Sequence, residues 1–480
     1  MIATRDMNEH VSPSADLITK YGRPGPRYTS YPAVPYWPAK YDPRSYEEAL
    51  GALGERARTD PNESVSIYVH VPFCEKRCLF CACNVVISRA HERGMAYVDL
   101  VRREMDGVSK AMNGARPKVK QMHWGGGTPT WLSVEELKAL YRCVAERYEM
   151  LPDREQSIEV DPRVTTPEQL TALRACGLNR LSMGVQDIDP TVQDAISRHQ
   201  TVAQTEAVIK HARDLGIDGI TVDIVYGLPF QTIDSFRRTI KTVIDLGVDR
   251  VAVYNFAYLP ERVKHQRVIM PEWLPPAEQR VQLFRIAAEE FTAAGYDMIG
   301  MDHFAKSTDE LSLARRDGTM QRNFMGYTTR SGCDLLSFGV SAISRVGRDF
   351  AQNPKTTAEY TERIESGRSP VVHGMRLSDD DAMRESVIQR VMCYGEVDLD
   401  EVKAAHGVDL LASQTTRDGL RELEDDGLVT WSGRTLRVTP MGRYFVRNIA
   451  MTFDPYLAKA PEPERSASGQ TVQVKFSRTV

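Results

Sequence analysis

The sequence lacks the features that mark several special classes of protein. Its 480 residues contain no apolar run long enough to cross a membrane, and the N-terminal residues Met1–His10 carry acids in place of an apolar signal-peptide core. Neither sign of charge is in large excess, since the net charge is −4 and the pI is near 6.3. This balance argues against a nucleic-acid binder. We therefore expect a cytoplasmic monomer that binds neither membranes nor nucleic acid.

Cysteine is also scarce, with eight residues in the whole chain. In a reducing compartment these are free thiols or metal ligands and do not form a disulfide framework. Four of them stand alone, and we interpret them as small buried hydrophobic residues: Cys143, Cys176, Cys333 and Cys393. The other four lie within ten residues of one another.

These four cysteines follow a strand-like run at Ser64–Val71, and Cys74, Cys78 and Cys81 have the spacing C-x3-C-x2-C. Thiolates suit iron–sulfur clusters and zinc. Three cysteines on a [4Fe–4S] cubane leave one iron open to another ligand. Alternatively, Cys83 completes a closed zinc site, although structural zinc sites usually join two cysteine pairs through a longer loop.

Strand-like and helical patterns alternate after residue 63. The predicted strands are Ser64–Val71, Val119–Trp124, Ser157–Val160, Arg180–Val185, Gly219–Val225 and Arg250–Phe256, with a further one near Met298–Met301. The predicted helices between them are Met95–Val108, Val134–Tyr148, Pro167–Ala175, Val202–Leu215, Ile233–Leu246 and Pro276–Ala294. Repeated βα units predict an α/β fold with a parallel sheet, here an open βα barrel. Active sites of such barrels lie at the carboxyl ends of the strands.

The flanking regions have other patterns. Residues 1–62 are rich in Pro and Tyr and predict an extended N-terminal arm with a helix near Ser45–Arg58. The barrel is expected at 63–368. Helical patterns followed by a Gly-turned hairpin predict a mainly helical, winged-helix-like domain at 369–457. Residues 458–480 have the composition of a disordered tail.

Polar residues interrupt the predicted strand ends. The glycine-rich string Gly125–Pro129 follows the second strand, where glycine lets backbone groups approach a ligand closely. Glu159, Gln186 and Asp223 stand in otherwise apolar strands. A buried carboxylate needs a partner, which is either a ligand or an internal salt bridge to Arg180 or Arg198.

Together these motifs resemble those of the radical S-adenosylmethionine (SAM) superfamily. The string from Lys20 to Pro32, Cys83 and Gly300–Phe304 are similar to the oxygen-independent coproporphyrinogen III oxidase family. The resemblance runs to about Leu457. It implies an open barrel, a [4Fe–4S] cluster on Cys74, Cys78 and Cys81, two SAM molecules, and a low-potential electron donor such as flavodoxin or ferredoxin. Cys83 would lie near the cluster without binding it.

The same resemblance assigns further residues. Those expected to contact SAM are Tyr68, Phe80, Gly126, Gly127, Thr128, Glu159, Gln186, Arg198, Asp223, Ala257 and Ile343. We expect Glu159 to take part in catalysis. Arg23 and Arg27 are candidates for the propionates of coproporphyrinogen III, because arginine pairs well with carboxylates; the alternative is a solvated arm.

Two residues depart from the pattern, since Met325 stands where we expect glutamine and Tyr258 where we expect histidine. The implied activity is conversion of two propionates to vinyl groups, giving protoporphyrinogen IX. One alternative is a related haem-binding chaperone, although such relatives generally lack Cys83 and the Gly25–Pro32 string. Another is a radical SAM enzyme with a different substrate.

Overall fold

The computed structural model describes residues 11–459, 464–465, 471–472 and 476–479. Within this part of the chain, twelve strands form one large sheet. In chain order they are β1 Ser64–Val71, β2 Lys118–Gly126, β3 Glu149–Val160, β4 Arg180–Gln186, β5 Gly219–Tyr226, β6 Arg250–Asn255, β7 Tyr296–Ile299, β8 His303–Lys306, β9 Asp334–Phe338, β10 Ile343–Val346, β11 Asp349–Gln352 and β12 His373–Arg376.

The spatial order of the sheet is β12-β11-β10-β9-β1-β2-β3-β4-β5-β6-β8-β7. The central strands, which lie in the order β9-β1-β2-β3-β4-β5-β6, are parallel. The outer strands at both edges are antiparallel. The predicted α/β fold with an open βα arrangement is thereby confirmed.

Helices lie before and between these strands, and those that connect the parallel strands cover one face of the sheet. They are α1 Ala15–Tyr21, α2 Pro43–Thr59, α3 Arg93–Ala111, α4 Val134–Ala145, α5 Pro167–Ala175, α6 Pro190–Ala195, α7 Val202–Asp214, α8 Ile233–Asp245, α9 Ala277–Ala293, α10 Glu310–Arg316 and α11 Thr357–Glu365. Capping boxes begin several of them, at Ser133, Thr166, Thr201 and Thr232. Their apolar faces pack on alternate strand residues such as Ile67, Val222 and Val251.

The sheet is wider than the sequence predicts. Strand β9 lies parallel to β1 on the side away from β2, and β10 to β12 extend that edge. These strands have four or five residues each. Runs this short carry little periodic signal, which is why their pattern does not predict them.

The C-terminal region forms a second core. It contains α12 Asp379–Tyr394, α13 Leu399–His406, α14 Gln414–Asp425 and α15 Val446–Met451, with the small sheet β13 Glu396–Asp398, β14 Val429–Ser432 and β15 Thr435–Val438. Strand β13 follows α12, and β14 and β15 form a hairpin after α13 and α14; the antiparallel pairing of the three strands gives the predicted winged-helix-like shape. No helix in the described ranges is long and apolar enough to cross a membrane.

The N-terminal arm is a structural part of that second core. Ile18, Tyr21, Tyr28 and Tyr31 are buried among the apolar residues of α12 and α15. The Tyr28 hydroxyl donates to Asp454 at 3.0 Å. The alternative of a solvated arm is therefore wrong for these residues.

Arg447 on α15 links the N-terminal arm to the residues near the C-terminus. Its guanidinium donates to the carbonyl oxygens of Pro26 (3.0 Å) and Arg478 (2.9 Å), and also to that of Gly25. Thr479 is buried and donates its backbone N–H to the Arg23 carbonyl at 2.9 Å. The disordered tail predicted at 458–480 is thus wrong for 476–479, because backbone pairing with the arm orders them; residues 460–463, 466–470, 473–475 and 480 lie outside the described residues.

Candidate active site

A row of polar side chains crosses the face of the sheet opposite the outer helices. The strand registers place Tyr68 of β1 beside His123 of β2, which lies beside Ser157 of β3. Farther along, Asp223 of β5 and His303 of β8 both pair with Ala252 of β6. Paired residues on neighbouring strands project to the same face. The row therefore lies on one wall, opposite the apolar residues that pack on the helices.

The three spaced cysteines lie on the loop after β1. Phe73 and Cys74 form a short parallel pair with Val86 and Ile87, which closes the loop at its base. Within the loop, Leu79 donates its N–H to the Ile196 carbonyl at 2.9 Å. The Cys74 sulfur lies 3.4 Å from the Thr128 hydroxyl. The cysteine loop and the glycine-rich loop therefore meet at one place.

The surroundings of these thiols suit an anionic iron–sulfur cluster. Arg198 Nη1 and Arg163 Nη2 lie 3.5 and 3.7 Å from the Cys78 sulfur, so two guanidinium groups would offset the negative charge of a cluster bound there.

The glycine-rich loop after β2 leaves no room for side chains. Gly126 has a φ of 113°, and a Cβ there would lie 2.6 Å from the His70 ring. A Cβ on Gly127 would lie 2.7 Å from the backbone of Pro72 and Phe73. Both positions therefore require glycine, which keeps the backbone of this loop accessible beside the cysteines.

Glu159 lies at the end of β3, beside the glycine-rich loop. It accepts a hydrogen bond from the Gly126 N–H at 3.0 Å, and His123 Nε2 lies 3.3 Å away. Burial opposes ionisation of Glu159, but the His123 and Gly126 contacts outweigh it and lower its pKa below the usual range. Glu159 is therefore an anion with part of its surface open to a ligand.

Gln186 and Arg198 lie near each other at the end of β4. Gln186 has a φ of 67°, and this conformation folds its side chain back over Gly184. Arg198 is buried and donates to the Gly184 carbonyl at 2.7 Å. It also pairs with Asp161 at 3.5 Å, so the suggested internal salt bridge of Arg198 involves Asp161. The suggested partner Arg180 pairs with Glu155, Asp309 and Glu310 instead.

Asp223 belongs to the same polar row, and its surroundings disfavour its charged form. Burial, followed by the negative charge of Glu159, raises its pKa from 3.8 to about 7. Ionised Asp223 therefore costs folding free energy until a ligand offsets it. A buried carboxylate that is destabilised in this way is a candidate binding group, because a bound ligand would stabilise its charged form.

We expect Asp223→Asn to stabilise the ligand-free protein more at about pH 8 than at about pH 5. The carboxyl group of Asp223 has a higher pKa in the folded state than in the unfolded state. The wild-type protein therefore becomes less stable as the pH rises from about 5 to about 8. The full shift corresponds to about 4 kcal/mol; partial exposure of Asp223 reduces the expected gain to about 1–2 kcal/mol. Thermal unfolding at both pH values measures it.

The control for this prediction is Asp218→Asn, at an exposed residue just before β5. It should leave the stability difference between the two pH values as in the wild type. A pH-independent effect of Asp223→Asn would show that the carboxylate does not carry the cost.

A cavity of about 360 Å³ opens beside this site, between the arm and the strand ends. Arg27, Ala257 and Gln352 are among its lining residues. Arg27 Nη2 donates to the Asn255 carbonyl at 2.9 Å, and Nη1 lies 3.8 Å from Asp302. The structure thus brings Arg27 and Ala257 to one cavity, whereas Arg23 is exposed and is not among its lining residues.

Three more of the expected SAM contacts have defined surroundings. Tyr68 stacks on His123 with ring centroids 5.9 Å apart. Phe80 packs against an apolar cluster that includes Phe256. Ile343 begins β10 and pairs with the cavity residue Gln352. Their roles toward SAM stay predictions.

Tyr258 and Met325, the two residues that depart from the family pattern, also have defined surroundings. The Tyr258 hydroxyl donates to the Ile269 carbonyl at 2.7 Å, so it serves the loop after β6. Met325 is half-buried in the turn between Gln321–Asn323 and Gly326–Thr328. Its N–H donates to Asn323 Oδ1 at 2.8 Å.

Some residues that organise the site do not stand out in the sequence. Gln266 is fully buried and donates to the carbonyl oxygens of Phe80 and Ala257, both at 3.0 Å. It therefore ties the cysteine loop to the cavity wall. Its segment has no periodic pattern, and its burial is visible only in the structure, so the sequence offers no signal for its role.

Asp302 and His303, which belong to the Gly300–Phe304 string, form a pair whose role the sequence did not predict. His303 Nδ1 lies 2.7 Å from Asp302 Oδ1. Burial opposes ionisation of Asp302, but His303, Arg322 and Arg27 outweigh it and lower its pKa. The pair links the polar row to Arg27, and the adjacent acid and histidine in the sequence were its available signal.

Comparisons with known proteins agree with this geometry. A family model described as the radical SAM superfamily matches residues 68–243, and one described as the HemN C-terminal domain matches residues 377–445. The oxygen-independent coproporphyrinogen III oxidases of Salmonella typhimurium and Pseudomonas aeruginosa are each 40% identical to this chain, over 92% of it and 95% and 96% of their own lengths. The chain belongs to the oxygen-independent coproporphyrinogen III oxidase family.

A solved structure supports membership of this family. Coproporphyrinogen III oxidase from Escherichia coli, described as a radical SAM enzyme, has a TM-score of 0.84 and 37% identity, covering 90% of this chain and 97% of its own. The predicted family and open-barrel fold are confirmed. The chaperone alternative finds no support, since the matched relatives are named oxidases.

Proposed function

We propose that this protein is an oxygen-independent coproporphyrinogen III oxidase. It converts the propionates of rings A and B of coproporphyrinogen III to vinyl groups, forming protoporphyrinogen IX. Each propionate loses one β-hydrogen to a 5′-deoxyadenosyl radical, one electron to an external electron acceptor, and one CO2. Two SAM molecules are consumed, yielding two methionines and two 5′-deoxyadenosines. Free thiol ligands require a reducing compartment, so the reaction takes place in the cytoplasm.

The observation that carries this proposal is the link between the cysteine loop and the Arg27 cavity. Gln266 bonds both Phe80 of that loop and Ala257 of the cavity wall. A radical generated at the cysteines would therefore form close to a carboxylate-binding arginine. Proximity of this kind is what radical transfer to a propionate requires.

Residues of the cysteine loop would hold the cluster. Cys74, Cys78 and Cys81 would hold three irons of a [4Fe–4S] cluster, with Arg198 and Arg163 beside the sulfurs. Bound together, the cluster and SAM supply a 5′-deoxyadenosyl radical that removes a β-hydrogen from the propionate.

The polar row would hold SAM in place. The glycine-rich loop at Gly126, Gly127 and Thr128 presents its backbone next to the cysteines. Glu159 and Asp223 offer carboxylates to the ammonium and hydroxyl groups of SAM, and Arg198 offers a cation to its carboxylate. The remaining expected contacts are Tyr68, Phe80, Gln186, Ala257 and Ile343.

Arg27 would bind a substrate propionate. Its contact with Asp302 is loose at 3.8 Å, so an incoming carboxylate can compete for the guanidinium. The pair of Asp302 and His303 holds this end of the polar row in place. We assign Arg27 the main substrate role; Arg23 in this role stays a prediction.

An anaerobic assay tests the proposed function. The reconstituted protein is mixed with coproporphyrinogen III, SAM and dithionite, and the expected products are protoporphyrinogen IX and two molecules of 5′-deoxyadenosine for each one formed. Cleavage of SAM without a vinyl product would point to another radical SAM substrate. Haem binding without turnover would favour the chaperone instead.

We expect Met325→Gln to tighten the weaker of two SAM molecules bound to the reconstituted protein. Methionine offers only a weak sulfur acceptor, whereas glutamine donates and accepts hydrogen bonds. A regained neutral hydrogen bond corresponds to about 0.5–1.5 kcal/mol, or roughly threefold to tenfold in affinity. Equilibrium binding of SAM measures it. A stoichiometry of one, or an unchanged affinity, would contradict contact between Met325 and a second SAM.

A further inference from the structure

An apolar patch lies on the surface beside the cysteine loop. Val268 is 59% exposed, Phe230 44% and Met270 43%. The Phe230 ring packs on Trp273 with centroids 5.1 Å apart, which joins these residues into one surface. Exposed apolar residues in a contiguous patch often mark an interaction site.

This patch is in direct contact with the cysteine loop. His265 Nε2 lies 2.7 Å from the Cys81 carbonyl oxygen, and Gln266 donates to that of Phe80 at 3.0 Å. Leu79 and Phe80 pack in the same apolar cluster as Trp273. One layer of loop therefore separates the surface from the cysteines.

The surrounding charge is positive although the chain as a whole is acidic. Lys76 and Arg77 are exposed on the cysteine loop, and Lys264 and Arg267 are exposed around Val268. Residues 75–77 and 262–273 together hold five lysines and arginines against two glutamates. The net charge of the whole chain is −4, so this excess is local. We call this surface, formed by residues 75–77, 230 and 262–273, the loop face.

We propose that the loop face docks a low-potential one-electron carrier protein with an acidic rim around its redox group. The inference rests on the proposed function, in which each SAM cleavage needs one electron from outside. One electron leaves the reduced carrier and enters the oxidised cluster; no bond or proton is transferred. Charge complementarity would steer the carrier, and the apolar patch would form the centre of the contact.

A matched pair of double variants tests the docking site. The patch variant carries Lys264→Glu and Val268→Asp. The control carries Lys241→Glu on α8 and Val408→Asp after α13, at an exposed lysine and a 43% exposed valine elsewhere. Both change the net charge equally, so they separate a local effect from a general one.

The probe is photoreduced flavodoxin, an acidic carrier, mixed anaerobically with each reconstituted protein at low salt. Cluster reduction is followed by absorbance, and flavodoxin binding by calorimetry. We expect the patch variant to be reduced about tenfold more slowly and to lose much of its salt dependence. Reduction by dithionite should stay within about twofold of wild type, because a small reductant needs no docking surface.

Equal rates with flavodoxin for the patch and control variants would overturn the proposal. If the patch variant fails to hold iron, the single substitution Lys264→Gln is tested in its place. Flavodoxin binding and cluster reduction as in the wild type would then also overturn the proposal. These readouts need no coproporphyrinogen III. Failure of decarboxylation would therefore reject the proposed function separately from the docking site.

Discussion

Serine in place of Cys74, Cys78 or Cys81 is expected to remove the iron–sulfur cluster and to abolish vinyl formation. Each cysteine would hold a different iron, so no remaining ligand can replace the lost thiolate. We expect activity to fall more than about a thousandfold, because the cofactor supplies the radical chemistry. Iron and sulfide analysis after anaerobic reconstitution, together with the product assay, measures this loss.

Cys83→Ser is the matched control for these variants. Cys83 lies in the same loop, two residues after Cys81, but we assign it no iron. The variant should keep its iron and sulfide. A Cys83→Ser protein without iron, or a wild-type protein that reconstitutes with zinc, would contradict the three-cysteine assignment.

Arg27→Met is expected to lower kcat/KM for coproporphyrinogen III by about 100-fold while SAM is still cleaved. Hydrogen bonds between charged groups contribute about 1.5–3 kcal/mol, and the upper value corresponds to roughly that factor. Methionine keeps an unbranched side chain of similar length and removes the charge. Product formation and 5′-deoxyadenosine formation without substrate are measured side by side.

Arg23→Met is the control in the same arm. Arg23 is exposed and does not line the cavity that contains Arg27, so we expect a change of less than about threefold. Equal losses at both positions would restore Arg23 as a substrate residue. Loss of SAM cleavage in Arg27→Met would show that the change disturbs the cofactor site. Deletion of residues 1–35 is a poorer test, because it would remove Tyr28 and Tyr31 from a buried core.

The central fold could be predicted because its signals are local. Strand β1 and helix α5 have the predicted bounds, and the other five strands from β2 to β6 differ from prediction mainly at their ends. Long buried strands carry continuous apolar runs, and capped helices carry a 3.6-residue period. The edge strands β9 to β12 depend on pairing with distant neighbours, and pairing of this kind leaves little trace in a short run.

The candidate site was predictable where chemistry restricts the residue type. Cysteine spacing and the glycine string around Gly126 are such places, since only glycine fits beside His70. Gln266 was not predictable, because its role is to bond two backbone carbonyl groups that only the fold brings together. The placement of Arg27 likewise depends on Asn255, which is far away in the chain.

The packing of the N-terminal arm has a consequence for the order of assembly. The arm is synthesised first, yet its packing partners, α12, α15 and Arg447, come from the last quarter of the chain. Contacts across such sequence distances form late, since the intervening chain must be closed into a loop. The barrel strands can pair before then. The cavity between the arm and the strand ends, which Arg27 lines, is therefore expected to be the last part of this region to form.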